Sequence, residues 1–569
     1  MNRKSIYLFY FSLLIAFLLL TGRLFWLTTI KGNYYRQLAE ENRIRIIKKP
    51  APRGIIYDRK GRILARNIPI FEHRISNIEY RILTREEALK LEAEEKEAEI
   101  ETTIGREYPY GQALAHVIGY LGEVTKEEVE SGKWEVGSQK GKTGVEEQYD
   151  SFLRGVDGGE LVEVDTSGKI LKKIGEKEAV PGQNLTLSID AELQKVAFEA
   201  LESQNGAVVA SDPKTGEISA LVSSPSFEPD IFEVQRYPRE AGSRSAGKGS
   251  KVQSEISKLL TDQNQPLFNR AISGVYPPGS TFKIITAVAG LEEGKIDKNF
   301  EMDDPGVILV GSYKYANWYF TQYGRKEGLV DIIKAIQRST DTFFYKVGEL
   351  VGIEALEKWA KKFGLGQTLG IDLAGEAAGL VPGPVWKEKV KDEPWFLGNT
   401  YHWSIGQGDV LTTPLQVNAW TAVIANGGRL CQPHLAKISN FQFPISEQIQ
   451  DTKYKIQDTS CNDLGLNPQT LFLIKEGMKK ACEPGGTGWP LFDFSPAVAC
   501  KTGTAEYGDP KGRTHAWITL FAPTYAKAAA GKPTEQPEIA LTVLVEGGGE
   551  GSSVAGPIAK KILEEWFER

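Results

Sequence analysis

Apolar residues are concentrated first in residues 5–22, where Ile6, Leu8, Phe9, Leu13, Leu14, Ile15, Phe17, Leu18, Leu19 and Leu20 leave almost no polar position. That is the minimum length for a bilayer-spanning helix. The run exits through Arg23, Leu24, Phe25, Trp26 and Leu27 without a small-residue cleavage pattern, so residues 5–27 read as an uncleaved signal anchor rather than a signal peptide. Arg3 and Lys4 precede it, and the positive-inside rule puts residues 1–4 in the cytoplasm and everything after about residue 30 outside.

Beyond the anchor the pattern changes several times. A basic stretch over 31–49 leads to Ala51-Pro52-Arg53-Gly54 and the turn Asp58-Arg59-Lys60-Gly61, which predicts a hairpin. Residues 85–101, rich in Glu, Lys, Ala and Leu, predict a solvated helix. Residues 161–174 alternate as a strand does, and Pro181-Gly182 marks a domain boundary near residue 180. A strand over 185–189 and a helix over 191–201 follow, then strands 207–210 and 218–223 joined by the turn Asp212-Pro213-Lys214-Thr215-Gly216. Residues 239–255 read as a mobile loop. Helical patterning then dominates to about residue 490, strands return at 497–506, 516–521 and 539–545, and a helix over 557–567 closes the chain. Strands, helices and strands again are expected when one sheet is built from both ends of a domain around a helical lobe.

A chain of 569 residues holds several folding units. A net charge of -6 and a pI near 5.8 argue against a nucleic-acid surface. Cys431, Cys461, Cys482 and Cys500 read as no disulfide framework, and none has metal-ligand spacing; His434 near Cys431 reads as ordinary packing.

Candidate chemistry begins at Val275-Tyr276-Pro277-Pro278-Gly279-Ser280-Thr281-Phe282-Lys283, which opens the apolar helix pattern of Ile284, Ile285, Ala287, Val288 and Leu291. This predicts Ser280 at a helix N-terminus, with Lys283 on the same face as its base and the Ser280 amide as half of an oxyanion hole. A neutral lysine needs burial and a second cation nearby. Ser-x-x-Lys also occurs at Ser211-Lys214 and Ser245-Lys248, and Lys-Thr-Gly at 142–144, 214–216 and 501–503. Only Lys501-Thr502-Gly503 continues an apolar run, Ala497-Val498-Ala499-Cys500, as a buried strand would. There Thr502 and Thr504 share a face suited to a carboxylate, Gly503 leaves room for a substrate backbone, and the Thr504 amide completes the oxyanion hole. Ser339-Thr340-Asp341 supplies a hydroxyl and a carboxylate for relaying a proton to a leaving amine.

Taken in order, Ser280-x-x-Lys283, Ser339-x-Asp341 and Lys501-Thr502-Gly503 resemble the three motifs of penicillin-binding proteins and serine β-lactamases. Gly406-Gln407-Gly408, Thr504-Ala505-Glu506, Ala51 to Gly54, Asp58 to Gly61 and Gly141 to Glu146 extend the resemblance to the class B members over nearly the whole chain. His515-Ala516-Trp517-Ile518 and Val545-Glu546-Gly547-Gly548-Gly549 look more like the elongation type than the division type.

The resemblance implies an α+β multidomain protein: a pedestal (dimerisation-type) domain over 28–180, and over 181–569 a β-lactamase-like transpeptidase domain with a central antiparallel sheet and a helical lobe. It implies peptidoglycan cross-linking through an acyl-enzyme on Ser280, with Lys283 as base, Ser339 as proton shuttle with Lys501, and Thr502 and Thr504 at the carboxylate and oxyanion. β-Lactams would acylate Ser280, no metal or organic cofactor is needed, and a membrane glycan polymerase of the SEDS type, with other elongation-complex proteins, is the expected partner. Asp341 stands where many members carry Asn, and the segment between Asn67 and Arg106 is shorter than the head region of most, which bears on contacts with a scaffold or activator. A carboxypeptidase or β-lactamase on the same fold, and a non-catalytic scaffold or β-lactam sensor, are the competing readings.

Overall fold

The structure, a computed structural model, describes residues 3–35, 43–74, 80–83, 85–94, 100–132, 134, 138–165, 170–233, 247–437, 461–524 and 536–568. The apolar N-terminal run is a helix over Arg3–Phe25, continued by a wide turn over Trp26–Ile30. Ile6–Ile30 is long and apolar enough to cross a membrane and buries none of its length against protein, as befits a single-pass anchor.

Backbone contacts divide the chain into two compact units, Met1–Gly54 with Arg154–Gln183, and Ile55–Leu153 with Asn184–Arg569. The chain thus passes between units near residues 54, 153 and 183. The first unit adds to the anchor helix a three-stranded antiparallel sheet in the order Ile44–Lys49, Gly158–Val164, Ile170–Lys177. The alternation predicted as one strand over 161–174 is therefore two paired strands. Lys49 and Lys173 each reach both Glu160 and Glu176, tying the three strands at the surface.

In the second unit Ile63–Arg74 pairs with Ile56–Tyr57, Tyr80–Leu83 and Ile100–Glu107. The turn between the first two is built by Asp58, whose Oδ1 accepts the Lys60 and Arg62 amides at 2.8 Å, with Gly61 at φ +80°. The solvated helix expected over 85–101 is Arg85–Glu94 only. Ile100 and Glu101 belong to a strand, because Ile63–Arg74 offers an edge for them to pair with; residues 95–99 lie outside the described residues. A buried Arg106–Glu146 ion pair at 2.8 Å explains the glutamate in the 141–146 segment.

The principal sheet has five antiparallel strands in the order Ile218–Ser224, Gly206–Ser211, Ile539–Val545, Thr514–Ala522, Ala499–Glu506. Strands from either end of the domain meet where Gly206–Ser211 pairs with Ile539–Val545. Both faces are covered. Ala516, Ile518, Leu520 and Ala522 pack with Ala191–Ala200 and Ala555–Phe567, while Trp517, Phe521 and Leu544 pack into the helical lobe. This two-sided burial explains the continuous apolar runs of the central strands.

Two further expectations are corrected. Residues 247–255 are not a loop but the start of a helix, Gly247–Thr261; residues 239–246, with Ser245, lie outside the described residues. The four cysteines pair as Cys431–Cys461 and Cys482–Cys500. Their separations of 30 and 18 residues carry no recognisable pattern, and the folded chain brings each pair together.

Candidate active site

The nucleophile turn is held by backbone geometry. Tyr276 and Thr412 exchange amide–carbonyl bonds at 2.9 Å, and the Gly279 amide donates to the Gly406 carbonyl at 2.9 Å. Gly279 and Gly406 have φ of +53° and +71°, and a Cβ on Gly406 would stand 2.4 Å from the Gly279 oxygen, so neither position tolerates a side chain. The Phe282 ring lies edge-on to Trp403 and Trp420 at 5.0 and 6.1 Å, locking the turn into the core. Residues Gly279–Phe282 form a 3₁₀ turn, and the α-helix starts only at Lys283–Glu292. Ser280 therefore lies in the turn just ahead of the α-helix rather than at its N-terminus, partly buried, where residues three apart eclipse.

Lys283 is fully buried but does not hydrogen-bond the Ser280 hydroxyl. Its Nζ donates to the Ser339 carbonyl at 2.8 Å, to Ser339 Oγ at 3.2 Å and to Asp341 Oδ1 at 2.6 Å. The second lysine required by the sequence reading is Lys501, also fully buried, with Nζ 2.8 Å from the same Ser339 Oγ and 3.0 Å from the Thr502 carbonyl. Burial lowers the pKa of Lys283, and the Asp341 carboxylate opposes that shift. Lys501 is pushed well below the ordinary lysine value, by burial first and by the charge on Lys283 second, with Asp341 opposing only in part.

Ser339 is placed between the amines by a left-handed backbone, φ +56°, at the end of Ile332–Arg338. That is an uncommon conformation for a residue with a side chain. Asp341 opens the helix Asp341–Val351, where the helix dipole favours its charge.

A buried carboxylate that sequence reasoning missed lies behind it. Asp304 accepts four hydrogen bonds, from the Gly306 amide at 2.9 Å, Thr342 Oγ1 at 2.6 Å, Asn317 Nδ2 at 3.0 Å and the Glu327 amide at 2.9 Å. Burial pushes its pKa up, and these donors together hold it below the usual carboxylate range. Asn317 Oδ1 in turn accepts the Asp341 amide at 3.2 Å, and the Trp318 amide donates to Asp341 Oδ2 at 2.9 Å. No motif marks these residues; only a buried Asp in a polar loop could have hinted at them.

The strand Ala499–Glu506 is the edge of the sheet and is buried except at Thr504 and Glu506. Thr502, on the same face by the period of two, donates to Thr487 Oγ1 at 2.8 Å, a partner the sequence did not reveal. Gly503 was expected to make room for a substrate backbone. It makes room for the nucleophile turn: a Cβ there would stand 3.1 Å from Thr281 Cγ2 and Trp517 Cβ and 3.2 Å from the Pro278 carbonyl. The Gln407 side-chain amide, turned to donate at 3.3 Å and accept at 3.2 Å, pairs with the backbone of Glu506. Thr504 is two residues away, so its own NH and C=O point to the same open edge.

Two lysines, a serine hydroxyl and a carboxylate thus converge beside the partly buried Ser280 and an open strand edge. The chain matches the Penicillin binding protein transpeptidase domain over residues 206–564 and the Penicillin-binding Protein dimerisation domain over 74–187. The chain belongs to the penicillin-binding protein transpeptidase family.

Among its relatives is a protein named Peptidoglycan D,D-transpeptidase MrdA from Acinetobacter baumannii, 34% identical over 97% of this chain and 86% of the relative; the protein of that name from Escherichia coli K12 is 32% identical over 97% and 93%. The fold also matches that of the structure described as a complex between Penicillin-Binding Protein (PBP2) and MreC from Helicobacter pylori. There the TM-score is 0.75 and the identity 28%, over 92% of this chain and 99% of that one. A structure described as showing structural coordination of polymerization and crosslinking by a peptidoglycan synthase complex gives a TM-score of 0.76 and 29% identity, over 100% and 99%. These likenesses put the chain in the PBP2 subgroup of class B penicillin-binding proteins.

The competing motif copies fall elsewhere in this penicillin-binding protein. Ser211 is buried in a strand, bonded to Asn418 at 2.6 Å, with Lys214 to Gly216 on the hairpin turn, and Gly144 begins a short helix in the 55–153 segment. For Asp304, the substitution Asp304→Asn keeps the shape but turns an amide toward donors. We expect β-lactam acylation to slow on the order of tenfold to a hundredfold through misplacement of Asp341, with the acid limb of its pH profile displaced. Stopped-flow acylation checks this, and a wild-type rate and profile would contradict it.

Proposed function

We propose that this chain, a peptidoglycan D,D-transpeptidase of the penicillin-binding family, works through an acyl-enzyme on Ser280. The observation that carries the residue assignment is the sharing of the Ser339 hydroxyl by two fully buried lysine amines. With a single carboxylate beside them, one amine is held neutral at little cost. Lys283, on Asp341, retains the proton at rest, and Lys501 is the neutral amine. A substrate carboxylate arriving at Thr502 and Thr504 draws a proton through Ser339 from Lys283 to Lys501, which leaves Lys283 free to act as base.

Ser280 Oγ then attacks the carbonyl carbon between the two terminal D-alanines and passes its proton to Lys283. The Ser280 and Thr504 amides hold the oxyanion. The C–N bond breaks as Ser339 delivers a proton to the departing D-alanine nitrogen, itself resupplied by Lys501. An amine of a second stem peptide attacks the ester, loses its proton to the same relay, and Ser280 is released with its hydroxyl restored. β-Lactams stop at the first acylation.

The pedestal is assigned to 28–180 and the transpeptidase domain to 181–569, a division supported by the two matched family domains at 74–187 and 206–564. Arg3 and Lys4 beside the anchor support a cytoplasmic N-terminus and an extracytoplasmic catalytic domain. A membrane glycan polymerase and an elongation-complex protein of the MreC kind are the proposed partners, supported by the assemblies in which the two structural neighbours occur.

The full chain in detergent, incubated with a fluorescent penicillin, should carry a stable adduct on the peptide containing Ser280, and Ser280→Ala should remove it while leaving Tm near wild type. An adduct on another residue, or rapid turnover of the label as in a hydrolase, would overturn the assignment. Acidification puts a second proton on the lysine pair and abolishes the base, so the acylation rate should fall as pH is lowered; a flat rate between about pH 5 and pH 9 would contradict it.

A further inference from the structure

The catalytic strand is buried along its length except at Thr504 and Glu506, so these two side chains share its exposed face. Side chains two residues apart on a strand stand on one face about 7 Å from each other. The Glu506 carboxylate is therefore one step beyond Thr504 in the direction leading away from Lys501. On the reading of the site given above, a donor peptide has its terminal carboxylate at Thr502 and its scissile carbonyl at the Thr504 amide. It must then run antiparallel to the strand, with the residue before the two D-alanines arriving at Glu506.

The backbone of Glu506 is already occupied by the Gln407 amide. The free ladder ends there, and the donor's third residue meets this position through its side chain only. Among the described residues no basic nitrogen forms an ion pair with the Glu506 carboxylate. Gln407, which pairs with the Glu506 backbone, also donates its own backbone amide to the His402 carbonyl at 2.9 Å, so this position adjoins an aromatic cluster. Tyr345 stacks on Tyr401 at 5.3 Å, and Tyr315 lies edge-on to Tyr345, Tyr401 and His402 at 5.8, 5.0 and 5.5 Å. The buried Tyr345 phenol is pushed up by desolvation first and then by the charges of Asp341 and Glu506. Desolvation lowers the His402 imidazole below its ordinary value although Glu506 opposes that shift, so His402 supplies no counter-charge at neutral pH.

Cross-linking requires an amine on the stem peptide, and donors drawn from the same polymer carry that amine until they are used as acceptors. We infer that Glu506 is a specificity-determining residue that binds the side-chain ammonium of the donor's third residue, selecting stems with a diamino acid at that position. The inference rests on the assignment of Thr502 and Thr504 to the donor terminus.

The test uses the full chain and two soluble stem mimics ending in a D-alanyl thiolester, one with the third-residue side-chain amine free and one with it acetylated. Wild type should acylate with the free amine preferred in kcat/KM by roughly tenfold, the worth of one charge-assisted hydrogen bond. Glu506→Gln should bring the ratio near one, and Glu506→Lys should invert it. A wild type without preference, or a Glu506→Gln variant that retains it, overturns the inference. Absence of any Ser280 adduct with either mimic and with penicillin would instead overturn the reading of the site itself.

Discussion

Two lysine amines removed from water and set against one serine hydroxyl are the constraint on which this active site depends. Each amine alone would be costly to bury as a cation, and together they repel. The fold answers with one carboxylate. Asp341 sits on Lys283 at 2.6 Å, while among the described residues Lys501 finds only neutral partners, Ser339 Oγ and the Thr502 carbonyl. The asymmetry lets a proton sit on one amine and leave a lone pair on the other, and Ser339 is the bridge between them.

Holding that asymmetry demands a rigid surround. Asp304, Asn317 and the Trp318 amide fix Asp341 from behind, and the left-handed backbone at Ser339 aims its hydroxyl at both amines. From the other side the sheet presents Lys501 on a strand that presses against the nucleophile turn so closely that Gly503 and Gly279 leave no space for a methyl group without displacement. The disulfide between Cys482 and Cys500 joins the end of the helix Pro468–Ala481 to the residue before Lys501, close to Thr487, the partner of Thr502. The close approach accounts for the glycine in the Lys-Thr-Gly motif through strand-to-turn packing.

Much of this was legible in the sequence because the chemistry and the local pattern coincide. Lys501 could be separated from Lys142 and Lys214 by the apolar residues that precede it, since a buried strand leaves that trace and a turn does not. Ser280 with Lys283, and Ser339 with Asp341, were legible as short motifs in order. What was not legible depends on distant chain. Ile100 becomes a strand residue because Ile63–Arg74 offers it an edge. Residues 247–255 are polar and glycine-rich yet helical, a choice that composition does not report. Asp304, Asn317 and Thr487 belong to no motif and acquire their roles only when loops from separate parts of the chain meet. The same holds for the bond expected between Lys283 and Ser280, which spacing suggested and which the pull of Asp341 and Ser339 prevents.

Neutron diffraction from deuterated crystals at neutral pH reads the protonation state of the lysine pair directly. Three deuterons are expected on Lys283 Nζ, directed at Asp341 and Ser339, and two on Lys501 Nζ, with a deuteron on Ser339 Oγ between them. Three deuterons on both amines would contradict it.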